Sequence, residues 1–417
     1  MKILFESSVL VEGYHKKDSN RSGIFQCVRN ILAALSSHGN DLDIGMFSSG
    51  YFCLEIREYI KAERLEKLSV EPISILQRFL SYVSRYENRM RREKKRILRL
   101  LVNLFKHIVM LFDIKRKPEC ADVALFPMSL RGLKNIEASR IFIVLYDMMP
   151  VLFKENYPSL PWHQELLEFM SANADNEKVH YFAISENTKK DFLKYVPKLK
   201  PESISVMPLA ANEKYYQEKS VEKINSVKNK YAIPENKKYV LSLCSLEPRK
   251  NIIMVCKSFC AFTKKNKIDD LVFVLAGGHW DTFLPVLNKE IDRMEKDRIL
   301  QVGYVDDEDV AALYSGAEWF VYTSQYEGFG LPPLEAMQCG CPVVVSNNSS
   351  LPEVVGDAGI MIDCNSEEQH VKAFEDYYFN KALRKANSEK GIERAGHFSW
   401  KTTADIIKEE IFKEQIR

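Results

Sequence analysis

WFVYTSQYEGFGLPPLEAMQCGCPVVVSN, Trp319 to Asn347, decides how the rest of the chain is read. It opens on an apolar run, Trp319–Ser324, of the kind a strand buried on both faces requires. It then turns through Gly328 and Gly330 and enters a helix primed by Pro332 and Pro333. A second β-rich run, Cys341–Asn347, follows at once. Strand, helix and strand in this order make one unit of a parallel sheet.

The same alternation extends in both directions. In the second half, runs at Tyr239–Ser245, Leu271–Gly278, Ile299–Val305 and Gly359–Asp363 have the same near-continuous Val, Ile, Leu and Phe content. In the first half, strands are expected at Lys2–Ser8, Leu42–Ser48, Val123–Pro127, Arg140–Met148, Tyr181–Glu186 and Ile204–Leu209. A chain of 417 residues exceeds one comfortable core. The expected architecture is α/β, with two doubly wound Rossmann-like domains facing a cleft. Residues 1–211 form the first, and 212–238, polar and lysine-rich, read as a linker. Residues 239–396 form the second, and 397–417 a terminal helix. Ligands of such sheets sit beyond the carboxyl ends of the strands, where the distinctive residues of this chain fall.

Composition is that of an ordinary globular protein, with 46% hydrophobic and 28% charged residues. The nine cysteines include no CxxC pair, and read as small buried hydrophobes in a reducing compartment. Met1-KILFESSVLV reads as a strand rather than a signal peptide, and no run has the roughly 18 apolar residues of a spanning helix. A cytoplasmic location is expected. The net charge of +2 hides one strongly basic segment, about residues 78–117, with 13 Lys or Arg against 3 Asp or Glu. Within it Ile97, Leu101, Leu104, Phe105, Ile108 and Phe112 share one helical face, opposite Arg92, Arg96, Arg99, Asn103 and Lys106. Such a helix suits the surface of an anionic membrane, at about 1 kcal/mol per nearby cation. A solvated helical insertion packed on the first domain is the alternative. No recognised nucleic-acid-binding motif accompanies the patch, so nucleic acid is not an expected partner.

The stretch after Trp319 also carries chemistry. Glycines at 328 and 330 permit backbone angles closed to other residues and let a ligand approach the main chain. The helix start that follows offers free N–H groups and a positive dipole end, which suit a diphosphate. Glu327 precedes the turn and Glu335 lies about one helical turn inside, so both carboxylates can project towards one ligand as acceptors for sugar hydroxyls. Arg249 and Lys250 follow the strand at Tyr239–Ser245 through Pro248, and two cations at a strand end facing the cleft would neutralise a diphosphate. Asp306–Asp309 reads as the cap and first turn of a helix rather than a metal site, and no other metal constellation stands out.

Two glutamates separated by seven residues, Glu327 and Glu335, form a fingerprint that resembles the retaining glycosyltransferases of the two-domain GT-B type, in the large family commonly numbered four. The likeness continues through CSLEPRKN (Cys244–Asn251), VLAGG (Val274–Gly278), VGYVDDEDVAALYSGA (Val302–Ala317) and SSLPEVVGDAG (Ser349–Gly359), covering the second half in the expected order. It implies a nucleotide-sugar donor, no metal or other cofactor, and transfer with retention, the donor phosphate taking the acceptor proton. It implies that Glu327 holds the transferred sugar and Glu335 the ribose, with Arg249 and Lys250 on the diphosphate. Further donor contacts are implied at Gly328, Phe329, Gly330 and Leu331. The backbone at Tyr304 and Val305 would read the base, and Gly23, in Arg21-Ser-Gly23-Ile24, would close on the phosphates.

In the first half the strand ends in VLYDMMP, so Tyr146-Asp147 stands where many relatives carry His-Asp. Both are candidate contacts to the sugar or acceptor, and a core tyrosine is an equal reading of Tyr146. Ser185 or Asn187, in AISENTKKD, suits an N-cap. HFSWKTTA, from His397, resembles the tail in which the last helix crosses back to the first domain, with Trp400 as a packing anchor. The motif style favours mannose or another hexose. The basic helix favours a lipid-linked glycan acceptor, in surface polysaccharide or lipopolysaccharide assembly. A nucleotide-sugar isomerase of the same architecture and a non-catalytic scaffold are the competing classes. The scaffold should have lost a charged motif residue, and all four are present.

Overall fold

A computed structural model describes residues 1–15, 23–38, 42–47, 53–65, 67–70, 104, 119–130, 132–157, 161–278, 283–294 and 296–413. The basic segment at about 78–117 lies outside the described residues apart from Leu104, as do Arg21 and Ser22.

Two parallel sheets carry the chain. In the first half the strands are β1 (Lys2–Glu6), β2 (Asp43–Phe47), β3 (Ser69–Val70), β4 (Glu119–Phe126), β5 (Ile136–Leu145), β6 (Val179–Ala183) and β7 (Ile204–Val206), in the order β3-β2-β1-β4-β5-β6-β7. In the second they are β8 (Lys238–Leu243), β9 (Leu271–Ala276), β10 (Ile299–Gly303), β11 (Trp319–Tyr322), β12 (Val343–Ser346) and β13 (Gly359–Ile362), in the order β10-β9-β8-β11-β12-β13. Every pairing is parallel, so helices cover both faces and the central strands are apolar throughout. Each expected strand is present. Among the described residues one further strand occurs, β3, which is two residues long and too short to leave a periodic signal.

In both sheets the strand order reverses beside the first strand, β1/β4 and β8/β11, and crevices for ligands open there. The expected linker carries a helix, Val221–Lys230, capped by the Ser220 hydroxyl and packed on the Val310–Ser315 helix through buried Val227. It belongs physically to the second half. Its apolar positions are too few among lysines for the periodicity to be visible in the sequence.

The Trp400–Phe412 helix returns to the first half and packs on the Gly23–His38 helix. Arg140 donates to the Glu410 carbonyl at 2.6 Å, Thr403 to the Pro208 carbonyl at 2.7 Å, and Ser205 to the Glu410 carboxylate at 2.6 Å. Beside them His180 is buried, which pushes its imidazole down to about 4 and leaves it neutral near pH 7. Cys27, Cys244, Cys256, Cys339, Cys341 and Cys364 are buried free thiols, as small core hydrophobes. No helix among the described residues is long and apolar enough to cross a membrane.

Candidate functional site

β8 ends at Leu243, and the chain turns through Pro248–Lys250 as a single 3-10 turn before the Ile252–Asn266 helix. Pro248 at the turn's start and the left-handed Asn251 at its end fix its direction. Arg249 and Lys250 are thereby directed inward and are both buried. β11 ends beside them, and its continuation brings Glu327 to the same point.

One oxygen of Glu327 accepts from Arg249 Nη1 at 2.8 Å and from Lys250 Nζ at 2.7 Å. Arg249 also donates to the Tyr326 carbonyl at 2.5 Å and to Glu247 at 2.8 Å, while Lys250 bonds the Tyr322 hydroxyl. Glu247 accepts from Ser245 at 2.8 Å and, across from the first half, from the Tyr157 hydroxyl at 2.5 Å. Two carboxylates and two cations therefore form one neutral, water-poor cluster. Burial alone would raise the Glu327 carboxyl, but Lys250 and Arg249 hold it down at about 2. Glu327 is fully ionised at any working pH, suited to accepting hydrogen bonds and unsuited to donating a proton.

Glu335 lies in a different environment. The Leu331–Gln338 helix begins at Gly330, whose φ of 115° only glycine adopts readily. Glu335 projects from it into a cavity of about 30 Å³ between the halves, lined by Cys27, Asn30, Lys214, Tyr215, Leu331 and Trp400 among others. Burial pushes its carboxyl up to about 7; Tyr314, donating at 3.4 Å, and the Lys214 charge offset this only in part. The two carboxylates of the fingerprint are thus held in opposite electrostatic states.

Gly328 has a role that its sequence does not disclose. Its φ is not in the left-handed region. A Cβ there would come within 2.4 Å of the Tyr146 carbonyl and 2.9 Å of the Asp147 Cβ. The expectation that Gly328 serves special backbone angles is corrected: the missing side chain makes room for the first half. Ser185 and Thr188 donate to the Gly328 carbonyl at 2.6 and 3.0 Å. The Phe329 ring packs edge-on against Phe398, and its carbonyl accepts from the Ser350 hydroxyl at 2.6 Å.

Tyr146 is brought against this loop. Its carbonyl accepts from Thr188 at 2.9 Å, and its hydroxyl is buried without a partner among the described residues, close to Cys27. The Asp147 carboxyl is pushed up by burial although Arg249 opposes the shift, which places Asp147 within electrostatic reach of the cluster. Its Oδ1 accepts from Met149 N at 3.0 Å. Tyr304 is exposed and the Val305 side chain buried, so backbone and one ring are presented after β10. Gly23 starts its helix exposed, with none of the described residues within 4 Å of where a Cβ would be.

Asp306–Asp309 is corrected in part. Asp309 occupies the position before the helix but makes no capping bond. Asp306 and Asp309 instead grip Lys230 at 2.8 and 2.5 Å, and Asp307 pairs with Lys214 at 2.6 Å. No group of metal-binding side chains occurs among the described residues.

Sequence reasoning missed Glu247, Tyr157, Tyr322, Tyr326 and His163. Glu247, Tyr322 and Tyr326 lie inside the motif stretches, and a charge count around Arg249 would have found the first. His163, whose Nε2 shares a hydrogen bond with the Asp147 carbonyl at 3.2 Å, lies in an ordinary helical stretch with no local signal. Burial lowers its imidazole, which keeps it neutral.

Residues 223–394 match the family model described as glycosyl transferases group 1. The chain is 29% identical over 270 residues to the serotype-specific mannosyltransferase WbdA of Escherichia coli, which covers 64% of this chain and 32% of that protein. It is 38% identical over 163 residues to O-antigen chain mannosyltransferase B of Escherichia coli, 39% of this chain and 42% of the relative. The chain therefore spans about a third of the length of the first of these relatives and two fifths of the second. Among solved structures it superposes on Anabaena Alr3699/HepE in complex with UDP and glucose with a TM-score of 0.67 at 16% identity, covering 99% of this chain and 100% of that one. WaaG, a glycosyltransferase involved in lipopolysaccharide biosynthesis, superposes with a TM-score of 0.62 at 13% identity, over 98% and 99% of the two chains. The fold is GT-B.

Proposed function

We propose, from a second half that matches the group 1 glycosyl transferases, that this chain moves a hexosyl unit, mannose in preference, from a nucleotide sugar to a glycan acceptor. The observation that carries the reading is the ionised Glu327 carboxylate, buried between Arg249 and Lys250 at a strand end facing the other half. A carboxylate in that state accepts from two vicinal sugar hydroxyls. The cations beside it stabilise the charge that develops on a departing diphosphate, an electrostatic contribution to rate. The start of the Leu331–Gln338 helix adds the positive end of its dipole at the same place, although Pro332 and Pro333 have no N–H to offer. Glu335 takes the ribose hydroxyls, and Tyr304 and the Val305 backbone meet the base. Transfer proceeds with retention and without a metal: no side chain acts as a conventional base, because the donor phosphate takes the acceptor proton. Tyr146, whose hydroxyl has no partner among the described residues, and Asp147 contact the sugar or acceptor from the first half.

The acceptor in this reading is a lipid-linked glycan at the inner face of the cytoplasmic membrane, in surface polysaccharide or lipopolysaccharide assembly. Two mannosyltransferase relatives support the class of product, and the basic segment at about 78–117 supports the location. Thermal protection tests the donor: GDP-mannose, UDP-glucose, UDP-galactose and UDP-N-acetylglucosamine are each added and the melting temperature recorded. One of the four should raise it, and that one should also be turned over. Protection by none of them overturns the reading. Flotation with vesicles rich in anionic lipid tests the location, and equal binding to neutral vesicles counts against it.

A further inference from the structure

The Glu186–Tyr195 helix of the first half is bound by three separate groups of the second. The Gly328 carbonyl accepts from Ser185 and Thr188 at its first turn. The Tyr326 hydroxyl donates to Asp191 at 2.8 Å one turn further on. Between them the Glu353 carboxylate accepts from the backbone amides of Glu186 and Asn187, at 2.9 and 3.1 Å.

The third contact is unusual in kind. A helix starts with amides that have no partner within it, and its own cap satisfies some of them. Here Ser185 takes the amide of Thr188 at 3.0 Å, and the two preceding amides are left for a residue 166 or 167 positions away. An anion at that point also meets the positive end of the helix dipole. Glu353 is itself held: Arg394 donates to the Glu353 carbonyl at 2.6 Å and the Val354 carbonyl at 3.0 Å. The carboxylate is thus presented by a rigid segment of the second half to a rigid helix of the first. The same helix fixes the carbonyl next to Glu327, so moving the halves apart would release Gly328, Tyr326 and Glu353 together.

We propose that Glu353 is a positioning residue that clasps the two halves in the arrangement completing the donor site, and that it acts on donor affinity through the closed fraction of the chain. This rests on the functional reading above. A protein that binds only in its closed state shows an apparent dissociation constant raised by the reciprocal of the closed fraction. Weakening the clasp therefore raises the donor KM and leaves kcat at saturation near its original value. A merely structural role would do the reverse, lowering the active fraction and hence kcat at unchanged KM.

The test uses the full chain carrying Glu353→Gln, Glu186→Pro, or both. Glutamine retains one acceptor and turns an amide donor towards another donor. Proline removes the first amide at the helix position that tolerates it best, after an extended Ser185. Steady-state kinetics use whichever of the four nucleotide sugars wild type turns over, and small-angle scattering of the free chain reads closure independently. The expected result for Glu353→Gln is a KM raised about tenfold with kcat nearly unchanged. Its radius of gyration should exceed that of wild type. The double variant should fall short of the product of the single effects, because glutamine then faces a single amide. An unchanged KM, a loss of kcat alone, or multiplicative effects overturn the proposal. Should wild type turn over none of the four sugars, the functional reading falls and scattering alone judges the clasp. An unchanged radius of gyration in Glu353→Gln then refutes it.

Discussion

Glu335→Gln should make the protein more stable and a poorer binder of its donor, and the gain should depend on pH. The Glu335 carboxyl is raised from 4.5 to about 7. Folding therefore binds a proton there across this interval, and the group's contribution, full below pH 4.5, is lost as pH rises through 7. A shift of about 2.5 units corresponds to roughly 3 kcal/mol of destabilisation by the buried charge at pH 8, and under about 1 kcal/mol at pH 5. Glutamine has no charge to desolvate and can still accept from Tyr314, so it should recover most of that difference. Unfolding entropy of about 2 cal/mol/K per residue makes this a rise of roughly 3 °C at pH 8, shrinking to about 1 °C at pH 5. Differential scanning calorimetry of both proteins at the two pH values measures it, and titration with the protecting nucleotide sugar measures the lost affinity. Loss of one charge-assisted hydrogen bond to a ribose hydroxyl should weaken binding about tenfold or more. A variant that melts no higher at pH 8, or gains equally at both pH values, would falsify the electrostatic assignment of Glu335.

Glu327→Gln has the opposite sign. Its carboxyl is held down at about 2, so it stabilises the folded chain above pH 4.5 and that contribution fades as pH falls towards 2. The variant should lose roughly 3 kcal/mol at pH 7, remain folded, and lose most turnover; near-normal turnover would remove Glu327 from the chemistry. Gly328→Ala would drive a methyl into the Tyr146 carbonyl, at a cost of about 1–3 kcal/mol. Scattering should then show the halves parted, with donor protection reduced; an unchanged profile would mean that the contact is not needed. Activity should be the same with excess chelator as with added magnesium, and a chelator-sensitive rate would contradict the metal-free reading.

Much of the fold was legible because its signals are local. Runs such as Leu271–Ala276 and Val343–Ser346 are apolar at every position, as only strands covered on both faces can be. Gly330 could be read as a backbone break ahead of a proline-primed helix, and its φ bears that out. The helix at Val221–Lys230 was not legible, since one buried valine among lysines leaves no periodic stripe. In the site, Glu327, Arg249 and Lys250 were identifiable as charged residues at strand ends. Tyr157 was not, because its partner Glu247 lies 90 positions along the chain, and His163 was not, because its contact to the Asp147 carbonyl forms only in the folded chain.

The sequence by itself determined the order of strands and helices, the glycine turn and the two glutamates that bracket it. Spacing and side-chain type suffice for those. Only the tertiary structure decided that Glu327 is held ionised between two cations while Glu335, eight positions on, is pushed towards neutrality. It also decided that Gly328 yields its space to the first half, and that Glu353 closes a helix belonging to the other domain. A carboxylate's charge state depends on its solvation and on the charges around it. Those are set by which distant segments pack there, and no spacing along the chain records them.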